Sequence, residues 1–222
     1  MIVQSVLNPS VAFIGRRALK FQRDSKRLCL SYTKKFTPMN KHEVIEDMEE
    51  HLRSAKIFRN EYRFNEAIME LEAALELCEE YKVNKVKRQT LSLLAKIYFD
   101  LGRTKKSLES YKNALTLAEV DSEEEQIAHI TRHIADVECE IGDLKSSRSH
   151  YEKALSYYRN NVSKYSLNYA NAIRGLAVLK EKTVEYSDAK KLWKEAKIIY
   201  EKLKIETGIK ECMARLKKLE IG

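Results

Sequence analysis

The sequence predicts an all-α fold, an α-solenoid of four helix–turn–helix units followed by a C-terminal capping helix. One segment of the chain recurs four times, at intervals of 40, 40 and 42 residues, as the spacing of Ala55, Ala95, Ala135 and Ala177 shows. Small and large residues recur at fixed places within the copies, and Gly stands in the middle of two of them. Self-similarity at such a period is typical of proteins whose units stack on their neighbours.

Three further columns of the repeat predict how its two helices pack. Two of them hold small residues and one holds large residues: Ala67, Ser107, Ser147 and Ala189; Ala74, Ala114, Ala154 and Ala196; and Leu71, Tyr111, Tyr151 and Trp193. Small residues at helical spacing let two backbones approach closely, and a large neighbour fills the remaining gap. Gly102 and Gly142 are expected to end the first helix of their copies, because Gly readily adopts the left-handed conformation. Tyr62 and Val184 occupy this turn position in the other two copies.

The columns resemble the tetratricopeptide repeat family. The resemblance is clearest in the second copy, at Leu94-Ala95, Tyr98, Leu101-Gly102, Tyr111 and Ala114-Leu115, and it covers roughly residues 42 to 220. It implies a right-handed superhelix. Because the usual period is about 34 residues, we expect the extra residues to lengthen the second helix and the loop after it. The third repeat and its junction with the fourth, including residues 168–180, also resemble uncharacterised bacterial members of this family with repeats of about 40 residues.

The elements follow in order along the chain. The repeats are expected at about 42–80, 84–120, 122–160 and 164–203, with the cap at 207–220, within a domain of residues 39–222. Asn40 and Glu43 have the spacing of a capping box. A linker is expected near 83–86, and Ser122 is expected to cap the fifth helix, whose first turn is acidic. Trp193, the only Trp, is expected in the core.

Net charge separates the repeats from the residues before them. The chain of 222 residues has a formal charge of +8. Residues 1–38 contain eight Lys or Arg and one Asp, hence +7, which leaves +1 for residues 39–222. A nucleic-acid binder would have a basic stripe across its domain, so we expect no nucleic-acid partner. No run approaches the roughly 20 apolar residues of a transmembrane segment. Four scattered Cys without a Cys-x-x-Cys pair favour a reducing, cytoplasmic location.

Residues 1–38 form a basic leader with a separate pattern. Apolar residues at helical spacing (Val11, Ile14, Ala18, Phe21) oppose basic ones (Arg16, Lys20, Arg23, Arg27). Such a segment is typical of a mitochondrial presequence, which would change the predicted location, or of a lipid- or partner-binding arm. It is also compatible with translated sequence upstream of a start at Met39. The interpretation we favour is an unstructured leader without a role.

A polar cluster in the third copy suggests a metal site as an alternative. His129, His133 and Asp136 share one helical face, and two His at i and i+4 can bind zinc. Arg132 would place a cation beside the metal, and Ile130 stands where the His-Glu-x-x-His motif requires Glu. We therefore favour a polar groove face, with no metal or other cofactor. A metal-dependent hydrolase remains the weaker alternative.

The resemblance implies a groove along the first helices of the repeats that binds an extended or helical peptide. Its lining would include Lys56, Asn60, Lys96, His129, Arg132, Asp136, Asn171 and Arg174, together with Leu52, Arg59, Ser92, Phe99 and Val178. The basic residues suggest an anionic peptide. The family's clamp for chaperone tails would fall on Leu52, Lys56, Leu93, His129 and His133, and these residues do not match it.

The predicted function is therefore a non-enzymatic interaction module or scaffold that binds a partner protein or peptide. The alternative is a peptide-responsive regulator, although the effector domain that such proteins contain is not visible in the sequence. The sequence leaves the oligomeric state open.

Overall fold

A computed structural model describes residues 40–161 and 166–221, the last without its side chain. The predicted leader lies outside these residues. In the described part, nine helices and no strands are present: α1 Lys41–Asn60, α2 Phe64–Tyr81, α3 Asn84–Asp100, α4 Thr104–Val120, α5 Glu124–Ile141, α6 Leu144–Asn161, α7 Leu167–Lys182, α8 Tyr186–Leu203 and α9 Glu206–Ile221.

The chain divides into two units, with the boundary between residues 45 and 46. Within the described end of the first unit, the Asn40 side chain accepts hydrogen bonds from the backbone N–H groups of His42 and Glu43, both at 3.0 Å. The Asn40 N–H in turn donates to the Glu43 carboxylate at 3.2 Å. This reciprocal pairing is a capping box, so the prediction for the start of α1 is confirmed.

In the second unit the helices form consecutive hairpins. From α2 onward each helix packs against the next one in the sequence, and α5 also contacts α7. The pairs α3/α4, α5/α6 and α7/α8 are the hairpins predicted from the repeat, and α9 packs on α8. The prediction of an all-α solenoid of helical hairpins is therefore confirmed.

The predicted packing columns are buried. The exposed fraction is 2% or less for every residue in these columns, which are Ala55, Ala95, Ala135, Ala177, Ala67, Ser107, Ser147, Ala189, Ala74, Ala114, Ala154, Ala196, Leu71, Tyr111, Tyr151 and Trp193. The two buried hydroxyls are satisfied across the hairpin, because Ser107 donates to the Ala95 carbonyl at 2.8 Å and Ser147 donates to the Ala135 carbonyl at 2.9 Å. These hydrogen bonds offset the cost of removing both hydroxyls from water.

The four predicted turn positions share one backbone conformation. Values of φ are 58° at Tyr62, 68° at Gly102, 86° at Gly142 and 63° at Val184. In the second hairpin the Arg103 N–H donates to the Tyr98 carbonyl at 2.8 Å, which closes the end of α3. The position predicted from two glycines is thus left-handed in all four copies, whatever residue occupies it.

Three local predictions were wrong. Ser122 does not cap α5: its φ is 54° and it ends α4, while Glu123 is the N-cap residue and makes no capping side-chain bond. The extra residues of the repeat do not lengthen the first two inter-repeat loops, because only residues 82–83 separate α2 from α3 and only 121–123 separate α4 from α5. They lengthen the helices instead, and Val86, predicted in a linker, is a buried residue of α3.

Candidate functional site

A cavity of about 440 Å³ lies in the second unit where the first helices of the hairpins converge. Its lining residues are Arg59 from α1; Lys96, Phe99 and Asp100 from α3; Arg132, His133, Asp136 and Val137 from α5; Leu167, Asn171 and Arg174 from α7; Tyr111 and Tyr200 from second helices; and Ile205, Thr207, Gly208 and Glu211 from the C-terminal segment. We call it the cationic cavity, because its lining includes four Lys or Arg and three Asp or Glu. Its volume is in the range of protein sites that bind small molecules.

The structure brings together most of the residues predicted for the groove. Lys96, Arg132, Asp136, Asn171 and Arg174 all line the cationic cavity, as do Arg59 and Phe99. Asn60 lies in a neighbouring depression with Arg59 and Asp100. Lys56 is exposed outside the lining, His129 lies against His133, and Leu52 is buried in the core.

The centre of the cavity is a buried ionic network on α5. Arg132, whose exposed fraction is 5%, donates to the Asp136 carboxylate at 2.7 Å. The Tyr151 hydroxyl donates to the other oxygen of the same carboxylate at 2.7 Å. Although Arg132 lines the cavity, stacking of α6 and α7 on α5 covers its side chain. A buried pair is costly to break, because removal of one partner leaves an unpaired charge.

Asp136 is held as a carboxylate by its neighbours. Burial acts to raise its pKa, but the hydrogen bond with His133 and the charge of Arg132 outweigh that effect and lower the pKa below its usual value. The His133 ring stacks on Tyr111 with ring centroids 5.2 Å apart. Burial, followed by the charge of Arg132, lowers the pKa of His133 to about 4. The imidazole is therefore neutral at pH 7.

His129 completes the stack behind His133. The two rings meet edge to face with centroids 4.8 Å apart. Burial, with a smaller contribution from the His133 ring, lowers the pKa of His129 to about 3. Among the described residues, no group of three His, Cys, Asp or Glu side chains is arranged to hold a metal ion. This geometry does not support the metal-dependent hydrolase hypothesis, because the Asp136 carboxylate binds Arg132 and Tyr151 instead.

Two further arginines of the cavity are paired with acids from other helices. Arg59 on α1 donates to the Asp100 carboxylate at the end of α3 at 2.7 Å. Arg174 on α7 donates to the Glu211 carboxylate on α9 at 3.1 Å. These acids are functional candidates that sequence analysis missed. The signal for Asp100 was present, since it stands one turn after Lys96, whereas Glu211 lies 37 residues after Arg174 and has no such signal.

Lys96 differs from the other cations of the lining. Its ammonium group makes no hydrogen bond or ion pair with any described residue, and its side chain is partly buried. Burial and the charges of Arg132, Arg59 and Lys56 lower its pKa, and only Asp100 acts in the opposite direction. The cavity therefore contains one cation whose charge no neighbouring acid neutralises.

The segment from Ile205 to Glu211 bounds the cavity at its C-terminal side. Gly208 lies directly against Tyr200, so that a Cβ atom there would be 2.6 Å from the ring. The Tyr200 hydroxyl donates to the Asn171 side-chain carbonyl at 2.7 Å. The close approach at Gly208 thus lets α9 reach the cavity and place Glu211 beside Arg174.

No helix in the described ranges combines the length and the apolar character needed to cross a lipid bilayer.

Comparison with known proteins agrees with this architecture. Residues 89–121, which include α4 and most of α3, match the family model described as Tetratricopeptide repeat. No curated protein matches the sequence significantly. Among solved structures the chain is similar to BtubC (BKLC) from P. vanneervenii, with a TM-score of 0.60, 18% sequence identity and coverage of 81% of this chain and 89% of that chain. At this identity the similarity concerns the fold alone. The match, together with the helical hairpins, supports a tetratricopeptide repeat at residues 89–121 of this chain.

Proposed function

We propose that this chain is a protein-interaction module that binds an acidic segment of a partner protein in the cationic cavity. Tetratricopeptide repeats in a solenoid of helical hairpins suggest a protein-interaction scaffold. The observation that supports a particular site is the convergence of four cationic side chains, Arg59, Lys96, Arg132 and Arg174, from four successive first helices. No catalytic step is part of this function.

The ion pairs in the cavity favour recognition through charge. Arg59 and Arg174 are each paired at the cavity wall with side chains about one-third exposed, so a ligand carboxylate can reach the same guanidinium groups. Arginine forks bind carboxylates through two parallel hydrogen bonds. Arg132 is buried and contributes its charge to the local potential, while its hydrogen bonds hold Asp136. A peptide with acidic residues therefore fits the lining better than a neutral or basic one.

Peptide display tests this function without knowledge of the natural partner. Random dodecapeptides would be selected against the full chain at low ionic strength, and recovered peptides are expected to be enriched in Asp and Glu. Their affinities would be measured by fluorescence anisotropy for the parent, for Arg174→Ala, and for Lys112→Ala as a control on the exposed surface of α4. We expect at least a tenfold loss in Arg174→Ala, about 1.4 kcal/mol, and none in the control.

Salt provides a second criterion in the same experiment. Because the reachable charges are partly exposed, affinity should fall as ionic strength rises. Recovered peptides without acidic enrichment, which bind Arg174→Ala and the parent equally well, would contradict this function.

A further inference from the structure

We infer, on the basis of the proposed binding function, that the cavity recognises a single carboxylate group and that Lys96 is the residue that binds it. The ligand class is thus narrowed from acidic segments in general to a monoanionic group. It comes either from the C-terminus of a peptide or from the side chain of Asp or Glu. Both sources present the same two oxygens to the site.

The pairing of charges in the lining leads to this residue. Three of the four cations have an acid within hydrogen-bond distance: the pairs are Arg59–Asp100 at 2.7 Å, Arg132–Asp136 at 2.7 Å and Arg174–Glu211 at 3.1 Å. Lys96 is the remaining cation, and no described residue pairs with it. One bound carboxylate would neutralise this charge without displacing the acids of the three pairs.

The surroundings of Lys96 make an anion favourable there. The side chain is partly buried, so its ammonium group has lost some of its hydration without gaining a protein partner. Arg132, Arg59 and Lys56 are close enough to lower its pKa by repulsion. A carboxylate beside Lys96 would replace the lost hydration and would be attracted by all four cations.

Asn171 supplies a second donor to the same cavity. Its side-chain carbonyl accepts from the Tyr200 hydroxyl at 2.7 Å, so its two amide N–H groups remain for another acceptor. The amide lines the cavity together with Lys96. A charged donor and a neutral donor suit a carboxylate, which offers two acceptor oxygens.

The three acids of the lining select against a doubly charged ligand. A phosphate monoester has a charge of about −1.5 to −2 at pH 7. It would approach one free cation and the carboxylates of Asp100, Asp136 and Glu211. Removal of the Glu211 charge would release Arg174 as a second free cation, and the site should then accept the phosphate. Glu211 is therefore a specificity-determining residue in this inference.

The test uses four acetylated tripeptides with the full chain. Ac-Ala-Ala-Ala with a free C-terminus and Ac-Ala-Glu-Ala-amide each contain one carboxylate, Ac-Ala-Ala-Ala-amide contains none, and the fourth has phosphoserine at its centre and an amidated end. Lysines labelled by reductive ¹³C-dimethylation retain their charge and report binding by NMR. The Lys96 signal is identified by its absence from Lys96→Met.

We expect the two carboxylate peptides to shift the Lys96 signal and the neutral peptide to leave it unchanged. The carboxylate peptide that saturates at lower concentration identifies the source of the group. Lys96→Met should weaken both at least tenfold, Lys96→Arg should retain binding, and Lys112→Met should match the parent. Glu211→Gln should improve binding of the phosphopeptide at least tenfold relative to the parent.

Equal binding of the carboxylate peptides by the parent and Lys96→Met would overturn the inference. Tighter binding of the phosphopeptide than of either carboxylate peptide to the parent would also overturn it. Neither result would contradict the proposed function. If neither these probes nor any displayed peptide binds the parent, the proposed function fails as well.

Discussion

Val184 shows how a single residue can depart from the repeat and still keep its conformation. Its φ of 63° lies in a region that β-branched residues rarely occupy. The next residue holds the turn in place: the Glu185 N–H donates to the Lys180 carbonyl at 2.8 Å, and its carboxylate binds Arg148, Lys180 and Thr183. Hydrogen bonds with these three side chains lower the pKa of Glu185 to about 2, and the bond with Arg148 has the largest effect. The strain at Val184 is therefore offset by contacts of its neighbour.

Replacement of Val184 by glycine, which occupies two of the other three turns, should stabilise the protein. The Val184 side chain is 67% exposed, so Val184→Gly removes little packing. We expect the free energy of unfolding to rise by about 0.5–1 kcal/mol after the entropic cost of Gly, which corresponds to roughly 2 °C in Tm. Gly142→Val, at the equivalent turn, should have the opposite effect. Thermal unfolding that ranks these variants the other way would mean that the turn is not strained.

At the scale of the element, α5 shows how stacking changes the meaning of a helical face. A polar stripe, which the sequence predicts as part of the groove face, consists of His129, Arg132, His133 and Asp136. In the structure the stripe packs between Tyr111 of α4 and Tyr151 of α6. The helix therefore buries two imidazoles in neutral form and one ion pair.

This burial predicts a dependence of stability on pH. In the unfolded chain an imidazole takes up a proton near its ordinary pKa of about 6.5, whereas burial keeps the folded pKa of His129 at about 3 and that of His133 at about 4. The unfolded state thus binds more protons below pH 6.5, and stability falls as the pH drops from 6.5 towards 4. Two such groups give a slope of up to about 2.7 kcal/mol per pH unit.

Urea denaturation of the parent and of His129→Gln between pH 7.5 and 4.5 measures this effect. In the variant, one fewer proton is taken up on unfolding. The slope of its unfolding free energy against pH should therefore be smaller by about 1.4 kcal/mol per pH unit at the steepest part. Asp136, whose folded pKa is depressed, contributes stability above its unfolded pKa of about 4. That stability is lost only as the pH falls below about 4 and through the lower pKa of the folded state. It therefore does not alter the profile between pH 7.5 and 4.5. Parallel pH profiles for parent and variant would show that His129 is not buried in neutral form.

At the scale of the molecule, the second unit ends in a helix that covers the core and also shapes the cavity. Ile199 and Tyr200 of α8 and Cys212 of α9 have exposed fractions of 2% or less. A repeat array needs such a terminal element, because each hairpin buries its apolar face only against a neighbour. The same helix places Glu211 at Arg174, so core closure and ligand selection depend on one element.

A chain that ends at Lys204 tests this dual role. Loss of α9 should expose apolar surface equivalent to at least two core side chains and lower the free energy of unfolding by about 3 kcal/mol or more, as measured by urea denaturation. A truncated chain as stable as the parent would mean that α9 is not a structural cap.

Deletion of residues 1–38, which lie outside the described residues and contain no repeat column, should leave the melting temperature unchanged.

The helical hairpins, the buried columns and the four turns could be predicted from the sequence alone. These features follow from local periodicity: a small residue every 40 or 42 positions and a left-handed residue at each helix end need no knowledge of distant contacts. A local pattern also gave one wrong prediction: Ser is a residue type favoured at the N-cap, but Ser122 lies at the end of the preceding helix.

Which charges meet depends on contacts between helices that are distant in the sequence. The pairs Arg59–Asp100 and Arg174–Glu211 join residues 41 and 37 positions apart, and the stacking of successive hairpins sets their distances. Periodicity identifies a common face, but it does not specify how closely neighbouring helices cover that face. For this reason Arg132 is buried although it belongs to the polar face of α5. Lys96 is the unpaired cation of the cavity, because no acid of the described residues is within hydrogen-bond distance of it.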